Sequence, residues 1–354
     1  MKPTVGVLGS SGVVGKAACK YLARFFKVRG GQRKEPTEDI KALDDFKYIK
    51  TDIFEEESLN QFCKGCDVVL NCAGPSYKIK EKVAVAAYKA GAIYVDASDI
   101  LLTEQEVRIK VMPEGRYVVA TGYVPGLSGI LPKLVEGKYL DQIEEVYCFQ
   151  GGRQPYSSAA LEDIILNSLS DSGYKGIYYS QGKLLQEDME SEEKIQLPGF
   201  LEPVYIKSYL SKEMIDVAER LGIKEMHWFN ALPDLEIALE QVNYTENCMN
   251  QYREHMEKWS ALLYEFYGEK QQEKKRYRCI VNLQDSNIVC GEVAALVVKS
   301  ILNKKPKQGI HWAKDILEVS EVIQYMKKSE ALQFAMIEIP YDSGDLLETE
   351  SGVL

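Results

Sequence analysis

The stretch from residue 4 to residue 15 reads Thr-Val-Gly-Val-Leu-Gly-Ser-Ser-Gly-Val-Val-Gly. Its first five residues form a short apolar run closed by a glycine, which is typical of a buried strand in a parallel sheet. Three glycines follow at three-residue spacing, at positions 9, 12 and 15, and residues 16–26 carry apolar side chains near helical spacing. The stretch therefore predicts a strand, a glycine-rich turn and a helix, and the rest of the chain can be placed relative to it.

A strand, a glycine turn and a helix in this order are typical of a site for the pyrophosphate of a dinucleotide. Gly9 would permit the tight turn, Gly12 would let the backbone approach the phosphates, and Gly15 would let helix and strand pack closely. The spacing is GxxGxxG rather than GxGxxG, and the hydroxyls of Ser10 and Ser11 would donate to phosphate oxygens. The alternative is a glycine-rich turn that binds nothing.

The segment after the second predicted strand bears on the choice of cofactor. Folds specific for NAD place an Asp or Glu there to hold the ribose 2′-hydroxyl, whereas residues 30–34 read Gly-Gly-Gln-Arg-Lys. Arg33 would grip a 2′-phosphate bidentately, with Lys34 or Arg29 nearby. The segment therefore favours NADP(H) over NAD(H), and the alternative is a solvated basic turn.

Five further strands are predicted in the first 125 residues, alternating with helical patterns. This alternation indicates an α/β fold, a doubly wound parallel sheet of the Rossmann type. Asn71 to Pro75 follow the fourth strand, where strand ends face the cofactor at the carboxyl edge of the sheet. The five strands are expected at 26–29, 46–52, 67–75, 93–99 and 117–122.

The pattern changes after residue 140 and predicts a mixed sheet with helices on one face, that is, an α+β domain. Residues 234–276 are charged and are predicted to be rich in helix, and the segment 307–313 is predicted to return to the nucleotide domain. The other elements are strands at 143–152, 203–206 and 224–231, helices at 161–169, 212–221 and 292–302, and a hairpin at 176–185 around Gln181-Gly182.

The expected domains are a Rossmann domain at 1–128, completed by a returning segment at about 288–313, and an inserted α+β domain at 129–287. The inserted domain is expected to serve substrate binding and dimerisation. A C-terminal segment with an acidic tail is expected at 314–354.

Composition excludes some classes of function. The formal net charge is −10, which argues against nucleic acid as a main partner. No apolar run approaches the roughly 18–20 residues that span a bilayer, so no membrane partner is expected. The chain enters a strand at its N-terminus, which predicts no signal peptide and a cytoplasmic protein.

The cysteines and histidines give no ligand set at metal spacing. Cys63 and Cys66 form a CxxC pair, for which the alternatives are a redox pair, half of a metal site, or two incidental thiols in a loop. No second pair lies at zinc spacing, and the histidines at 227, 255 and 311 form no HxxxH. We therefore expect no metal.

In these stretches the chain resembles the NADP(H)-binding saccharopine dehydrogenase-like reductases. The resemblance covers most of the chain, which is shorter than typical saccharopine reductases. The motifs that carry it are the glycine loop at 9–15, Gly-Gly-Gln-Arg at 30–33, Val-Leu-Asn-Cys-Ala-Gly-Pro at 69–75, Ala-Gly-Ala-x-Tyr-Val-Asp at 90–96, Pro-Gly-Leu at 125–127, Gly151-Gly152, Gln-Gly-Lys at 181–183 and Gly-x-His-Trp at 309–312.

The resemblance implies an NADP-dependent oxidoreductase with a split nucleotide domain, an inserted α+β domain and a homodimer built through the inserted sheet. It also implies a small-molecule substrate whose C=N or related bond is reduced or oxidised. Tyr77 matches a family position just after the Gly-Pro turn, so it ranks first as proton donor.

The predicted site residues fall into three groups. Tyr77, Asp99 and Tyr123 are candidate catalytic residues, because tyrosine hydroxyls stay protonated at pH 7 and Asp99 would act as an acid or hold a cationic amine. Arg153 is the candidate for a substrate carboxylate, with a surface arginine as the alternative. The candidate cofactor-binding residues are Gly9, Ser10, Ser11, Gly12, Val13, Val14, Gly15, Arg33, Asp52, Asn71, Ala73, Gly74, Pro75 and Ser98.

The sequence thus predicts an NADPH-dependent reductase acting on a C=N bond of a small amino-acid-derived substrate. One alternative is a reductase of a C=C or thiazoline bond on an intermediate bound to a carrier protein. Another is a non-catalytic NADP-binding scaffold or redox sensor. Hydrolase chemistry is not expected, since none of the three histidines lies near a glycine elbow.

Overall fold

The computed structural model describes residues 2–103, 105–154, 173–187, 191, 193–234 and 257–343. The described residues form two compact units. The first comprises those of Met1–Ile130 and Asn287–Glu321, and the second those of Leu131–Tyr156, Gly173–Ser286 and Val322–Leu354. The helix predicted at 161–169 and most of the acidic tail lie outside the described residues.

Sixteen strands are described, seven in the sheet of the first unit and nine in the sheet of the second. In chain order they are β1 (Thr4–Leu8), β2 (Lys27–Gln32), β3 (Phe46–Lys50), β4 (Val68–Asn71), β5 (Ile93–Asp96), β6 (Arg116–Val119), β7 (Gln142–Arg153), β8 (Gly173–Lys175), β9 (Ile177–Ser180), β10 (Lys183–Gln186), β11 (Tyr205–Ser211), β12 (Glu225–Leu232), β13 (Trp259–Lys270), β14 (Glu273–Leu283), β15 (Gly309–Trp312) and β16 (Leu332–Ile339).

The described helices connect these strands. They are α1 (Val13–Leu22), α2 (Glu38–Lys41), α3 (Glu56–Cys63), α4 (Ser76–Ile79), α5 (Lys82–Lys89), α6 (Ile100–Thr103), α7 (Gln105–Arg108), α8 (Leu127–Val135), α9 (Lys212–Leu221), α10 (Ser286–Asn303), α11 (Ala313–Ile316) and α12 (Val319–Lys328).

The first unit is built on a parallel sheet with the strand order β15-β6-β5-β4-β1-β2-β3. Strand β1 lies inside the sheet, between β2 and β4, where the strand order reverses. Its side chains at Val5, Val7 and Leu8 are almost completely buried, as are Val68 to Leu70 of β4. Continuous apolar strands are required here because helices cover a parallel sheet on both faces. The predicted Rossmann-type sheet is confirmed.

The returning segment adds a seventh strand to this sheet. Strand β15 pairs parallel with β6 in the register Ile310 to Tyr117 and His311 to Val118. Helix α10, which precedes it, packs in the same unit: the position of a Cβ on Gly291 would lie 2.2 Å from the carbonyl oxygen of Val14.

The second unit is built on a mixed sheet, as predicted. Its main order is β10-β9-β12-β7-β13-β14-β16, and β11 pairs with both β12 and β8. Only β12 and β7 run parallel among the described pairs of this sheet, and the other pairs are antiparallel. The predicted hairpin at Gln181-Gly182 is confirmed, with both residues at positive φ.

The expectation of helix at 234–276 is wrong for residues 259–276, which form β13 and the start of β14. Ten consecutive residues of β13, Trp259–Gly268, are buried, so the strand has no alternation of polar and apolar faces. A fully buried strand cannot be told from a buried helix by periodicity alone. Residues 235–256 lie outside the described part of the chain.

One described helix, α10, is long and apolar enough to cross a membrane by length and composition. Just over half of its residues, 56%, are buried inside the protein. They include Val289, Val293 and Val297, so the apolar character of α10 is accounted for by packing in a core.

Candidate functional site

The glycine loop closes tightly over the end of β1. Gly9 has φ +75°, its N–H donates to the carbonyl of Gly31 at 2.9 Å, and a Cβ on it would lie 2.7 Å from the carbonyl oxygen of Cys72. Gly15 lies against the same turn, since its Cβ would fall 2.2 Å from the Gly9 carbonyl oxygen. Both positions therefore require glycine, one for conformation and both for space.

The N-terminus of α1 opens from this loop. Gly12 is the N-cap, and no side chain caps the helix among the described residues. Ser11, Gly12 and Val13 are exposed, whereas Gly15 is buried. A Cβ on Gly12 would have only the Gly9 oxygen nearby, at 3.4 Å, so the space in front of it is open. Free first-turn N–H groups, the helix dipole and open space fit an anionic group such as a pyrophosphate.

Ser10 does not face outward with Ser11. Its side chain is fully buried, and its hydroxyl donates to Oε1 of Gln32 at 2.8 Å. The Gln32 amide in turn donates to the carbonyl of Lys34 at 2.6 Å. Ser10 therefore fixes the loop to the end of β2, a different role from the predicted contact with phosphate. Sequence reasoning missed Gln32, whose signal was its position at the end of that strand.

Arg33 follows directly after β2 and is exposed. Strand β2 extends to Gln32, so Gly30 and Gly31, expected in a turn, belong to the strand. Arg29 does not stand beside Arg33: its guanidinium donates to the carbonyls of Phe62 at 2.5 Å and Lys64 at 2.8 Å, at the C-terminus of α3. The expected help from Arg29 is therefore wrong, and Arg33 and Lys34 are the exposed cations at this strand end.

A buried polar network lies at the ends of β4 and β5. Asn71 accepts a hydrogen bond from the N–H of Ala73 at 3.2 Å and donates to Oδ2 of Asp96 at 3.2 Å. Oδ2 of Asp96 also accepts from the Tyr94 hydroxyl, and Oδ1 accepts from the N–H of Ser98 at 2.9 Å. The network fixes the chain where it leaves both strands, next to the predicted cofactor-binding residues.

Asp96 is the centre of this network and is 3% exposed. Burial raises the pKa of its carboxyl group to about 6, although the hydrogen bonds from Tyr94, Ser98 and Asn71 favour the charged form. Sequence reasoning did not single out Asp96. The available signal was an aspartate at the carboxyl end of an otherwise apolar strand.

The other predicted residues of the first unit lie after strand ends. Gly74 and Pro75, joined by a cis peptide bond, lead into α4, and Tyr77 in that helix is partly buried against the core of the unit. Ser98 and Asp99 follow β5 and are partly buried. Tyr123 lies after β6, is 3% exposed, and donates its N–H to Sγ of Cys290 at 3.2 Å.

Asp52 closes the turn that precedes α3. Its Oδ1 accepts a hydrogen bond from the N–H of Phe54 at 2.9 Å, and its own N–H donates to the hydroxyl oxygen of Ser58 at 3.0 Å. This is a local turn contact. The predicted role of Asp52 at the cofactor gains no support from it.

Arg153 lies in the second unit, at the end of β7. Its guanidinium donates to Glu202 through Nε at 2.5 Å and Nη2 at 2.8 Å, and Nη2 lies 2.7 Å from Asp234. Both carboxylates thus pair with the Arg153 guanidinium, and the contact with Arg153 lowers the pKa of Glu202. A substrate carboxylate would have to displace Glu202 and Asp234, so these contacts give no support to the predicted role of Arg153.

The CxxC pair is buried beneath the sheet of the first unit. Burial raises the pKa of Cys63 to about 12 and that of Cys66 to about 11. Both thiols are therefore protonated at neutral pH, which is the state of inert core cysteines.

Taken together, the switch in strand order at β1, the glycine loop and the uncapped α1 define a dinucleotide-binding domain. Residues 5–115 match the family model described as "Saccharopine dehydrogenase NADP binding domain". Residues 5–115 therefore match an NADP-binding domain of the saccharopine dehydrogenase type, as the resemblance implied, and the match supports an NADP-dependent oxidoreductase. The match covers less than half of the chain.

None of the curated protein sequences matches this one. Solved structures are similar over about a third of the chain. A short-chain dehydrogenase/reductase from Veillonella parvula in complex with NADP is 14% identical over 34% of this chain and 68% of its own, with a TM-score of 0.29. The negative transcriptional regulator NmrA is 18% identical over 34% of this chain and 45% of its own, with a TM-score of 0.28.

Uronate dehydrogenase from Agrobacterium tumefaciens is 19% identical over 27% of this chain and 40% of its own, with a TM-score of 0.24. The chain thus spans less than half of both NmrA and the uronate dehydrogenase. At these scores the similarities carry no argument about activity or substrate.

Proposed function

We propose that this protein is an NADPH-dependent reductase that transfers hydride to the C=N bond of a small amino-acid-derived substrate. The observation that carries the proposal is the open, uncapped N-terminus of α1 behind the glycine loop, with exposed Arg33 at the end of the adjacent strand. That arrangement offers backbone N–H groups to a pyrophosphate and a guanidinium to a 2′-phosphate.

The residues that would hold the cofactor are all in the first unit. The backbone from Ser11 to Gly15 would bind the pyrophosphate, and Arg33 would bind the 2′-phosphate. The chain from Asn71 to Pro75 is held rigid by the network around Asp96, and would supply backbone groups beside the nicotinamide ribose. When bound, NADPH supplies the hydride, and the protein orients it and excludes water.

A proton must reach the nitrogen of the substrate as its carbon gains the hydride. Tyr77 is the first candidate donor, because a tyrosine hydroxyl can pass on a proton through a hydrogen bond and Tyr77 follows the Gly-Pro exit of β4. Tyr123 and Asp99, after β6 and β5, are the other candidates. Asp99 in its ionised form would instead hold a cationic iminium.

We also propose a homodimer formed through the sheet of the second unit, a cytoplasmic location, and a substrate and dimerisation role for residues 129–287. The alternative is that the protein reduces a C=C or thiazoline bond of a carrier-bound substrate, and the second experiment below tests this alternative.

The first experiment is a fluorescence titration of the purified protein with NADPH and with NADH, in the absence of substrate. We expect micromolar binding of NADPH and much weaker binding of NADH, as the exposed cations after β2 favour a 2′-phosphate. Binding of neither cofactor would contradict the proposed site and the reductase together.

The second experiment measures NADPH oxidation with a panel of small cyclic and acyclic imines. Tyr77→Phe should lower turnover and leave NADPH affinity unchanged, because only the hydroxyl is lost. Unchanged turnover in Tyr77→Phe would remove Tyr77 as the proton donor. Tight NADPH binding without oxidation by any free imine would favour a carrier-bound substrate or a scaffold.

A further inference from the structure

Strands β7 and β12 bring three potential metal ligands together in the second unit. The two strands are parallel neighbours, with Glu145 opposite Glu225 and Tyr147 opposite His227. Residues two apart on a strand share a face of the sheet. Each of Glu145, Glu225 and His227 thus offers a ligand atom on one face, and the three atoms lie within 4.8 Å of one another.

His227 is the feature that points to a ligand. Its side chain is 8% exposed, and Nε2 lies 3.7 Å from Oε2 of Glu225, beyond hydrogen-bond distance. Within the described part of the chain, Nε2 is buried and has no hydrogen-bond partner. A buried polar atom left in this state requires an explanation, and an ion is one of the few available.

The hydrogen bond of the other ring nitrogen, Nδ1, shows which nitrogen of the imidazole is available to bind a metal. Nδ1 lies 2.8 Å from Oε1 of Glu187. An ionised carboxylate only accepts hydrogen bonds, so Nδ1 carries the proton and donates it. In the neutral ring, Nε2 then presents a lone pair toward Glu225. A carboxylate that holds the far nitrogen of a histidine is the usual second partner of a metal-bound imidazole.

The ring is also held in place by aromatic side chains. It stacks between Tyr147 and Tyr178, with centroid distances of 4.6 Å to each and interplanar angles of 9° and 13°. The Tyr147 hydroxyl donates to Oε1 of Glu145 at 2.5 Å, which leaves the other carboxylate oxygen for coordination. The ligands are thus preorganised by neighbours rather than held only by an ion.

We propose that Nε2 of His227 and the carboxylates of Glu145 and Glu225 bind one divalent transition-metal cation, of which Zn²⁺ is the best fit. Zinc takes nitrogen and oxygen ligands at about 2.0–2.2 Å, so ligand atoms across a tetrahedral ion are roughly 3.4 Å apart. The separation of 3.7 Å between His227 and Glu225 is close to this value. Imidazole favours zinc over calcium or magnesium.

The fourth position would be filled by water. The Glu225 side chain is 39% exposed, so the cluster is open to solvent on that side, which also provides a path of entry. The bound ion would join β7 to β12 and stabilise the second unit, since a ligand that binds only the folded state raises its stability.

The test uses the full-length protein after treatment with a chelator. Isothermal titration with Zn²⁺ should show one site per chain with micromolar or tighter affinity and an accompanying rise in Tm, and Ca²⁺ and Mg²⁺ should bind far more weakly. Co²⁺ should give d–d absorption without a thiolate charge-transfer band. Absence of Zn²⁺ binding, or a thiolate band that places the ion on cysteines, would overturn the proposal.

Two ligand variants and a control locate the site. Glu225→Gln and His227→Gln should each weaken Zn²⁺ binding at least tenfold, about 1.4 kcal/mol, and reduce the Zn²⁺-dependent rise in Tm. Glu219→Gln makes the same chemical change on an exposed face of α9 and should leave both readouts unchanged. If His227→Gln fails to fold, Glu225→Gln alone tests the site. The Glu225 side chain is partly exposed, so its substitution should not prevent folding. Undiminished Zn²⁺ binding in Glu225→Gln would contradict the assignment.

Discussion

The Ser10 hydroxyl donates a hydrogen bond to Oε1 of Gln32 at 2.8 Å, and this bond ties the glycine loop to the end of β2. Ser10 is fully buried and Gln32 is 9% exposed, so the bond is shielded from water. Arg33 is the next residue along the chain. One hydrogen bond therefore joins the two parts of the candidate site, the backbone that would hold the pyrophosphate and the cation that would hold the 2′-phosphate.

Removing this bond should affect stability and cofactor binding together. Ser10→Ala leaves the Gln32 oxygen buried without its donor, which should lower the free energy of unfolding by about 1–2 kcal/mol in urea. NADPH affinity should fall several-fold, because Arg33 is less well fixed. Ser11→Ala is the matched control: Ser11 is exposed, so its loss should leave stability unchanged and weaken only NADPH binding. Equal stability of wild type and Ser10→Ala would contradict the role of the bond.

The glycines at 12 and 15 should respond differently to alanine. Gly15→Ala places a Cβ 2.2 Å from the Gly9 oxygen, so the loop must shift and Tm should fall. Gly12→Ala meets nothing closer than 3.4 Å and keeps an extended backbone at φ −69°, so the protein should fold normally. Its methyl group would occupy the space proposed for the pyrophosphate and should weaken NADPH binding about tenfold or more. Normal NADPH affinity in Gly12→Ala would place the pyrophosphate elsewhere.

Arg33 should discriminate between the two nicotinamide cofactors. Hydrogen bonds to charged groups contribute about 1.5–3 kcal/mol, so Arg33→Gln should weaken NADPH binding by roughly 10- to 100-fold. NADH affinity should change little, because NADH lacks the 2′-phosphate. Arg24→Gln is the control, since Arg24 is exposed just after the C-terminal end of α1, away from the loop. Equal losses of affinity for NADPH and NADH in Arg33→Gln would contradict the assignment of Arg33 to the 2′-phosphate.

Most of the first unit could be predicted from the sequence, because the patterns that mark its strands and its glycine turn lie within short segments of the chain. Short apolar runs such as Val68–Leu70 mark buried parallel strands, and the glycine spacing marks the turn after β1. The extent of β2 could not be predicted, because Gly30 and Gly31 suggest a turn. In the folded unit a Cβ on either would lie within 2.5 Å of a phenyl ring, of Phe46 or of Phe62, so close packing inside the sheet accounts for these glycines.

The site was predicted less completely than the fold, because several of its contacts join distant parts of the chain. Asn71 was expected from its place at a strand end, whereas its bond to Asp96 depends on the pairing of β4 with β5. The cluster of Glu145, Glu225 and His227 has no signal in spacing, since its ligands come from two strands. Arg153 was expected to be available, and only the folded second unit shows Glu202 and Asp234 beside it.

The raised pKa of Asp96 should appear as a pH dependence of stability. Its carboxyl titrates at about 6 in the folded protein against a value near 3.8 without burial. Between these values the folded state holds a proton that the unfolded state has released, so stability is lost as pH rises through the window. At about 1.4 kcal/mol per pKa unit, the loss is on the order of 3 kcal/mol.

Asp96→Asn removes this titration and isolates the effect. The free energy of unfolding is measured in urea for the wild type and the variant, from about pH 4 to about pH 7. As pH rises, the wild type should lose stability relative to the variant. The variant also loses an acceptor for the Tyr94 hydroxyl, which changes its stability at every pH. The readout is therefore how the stability difference between wild type and variant changes with pH, and not the size of that difference at one pH. Asp44→Asn, on an exposed residue, should give a difference that is nearly flat. A flat difference for Asp96→Asn as well would mean that the carboxyl group is ionised throughout and that its hydrogen bonds outweigh its burial.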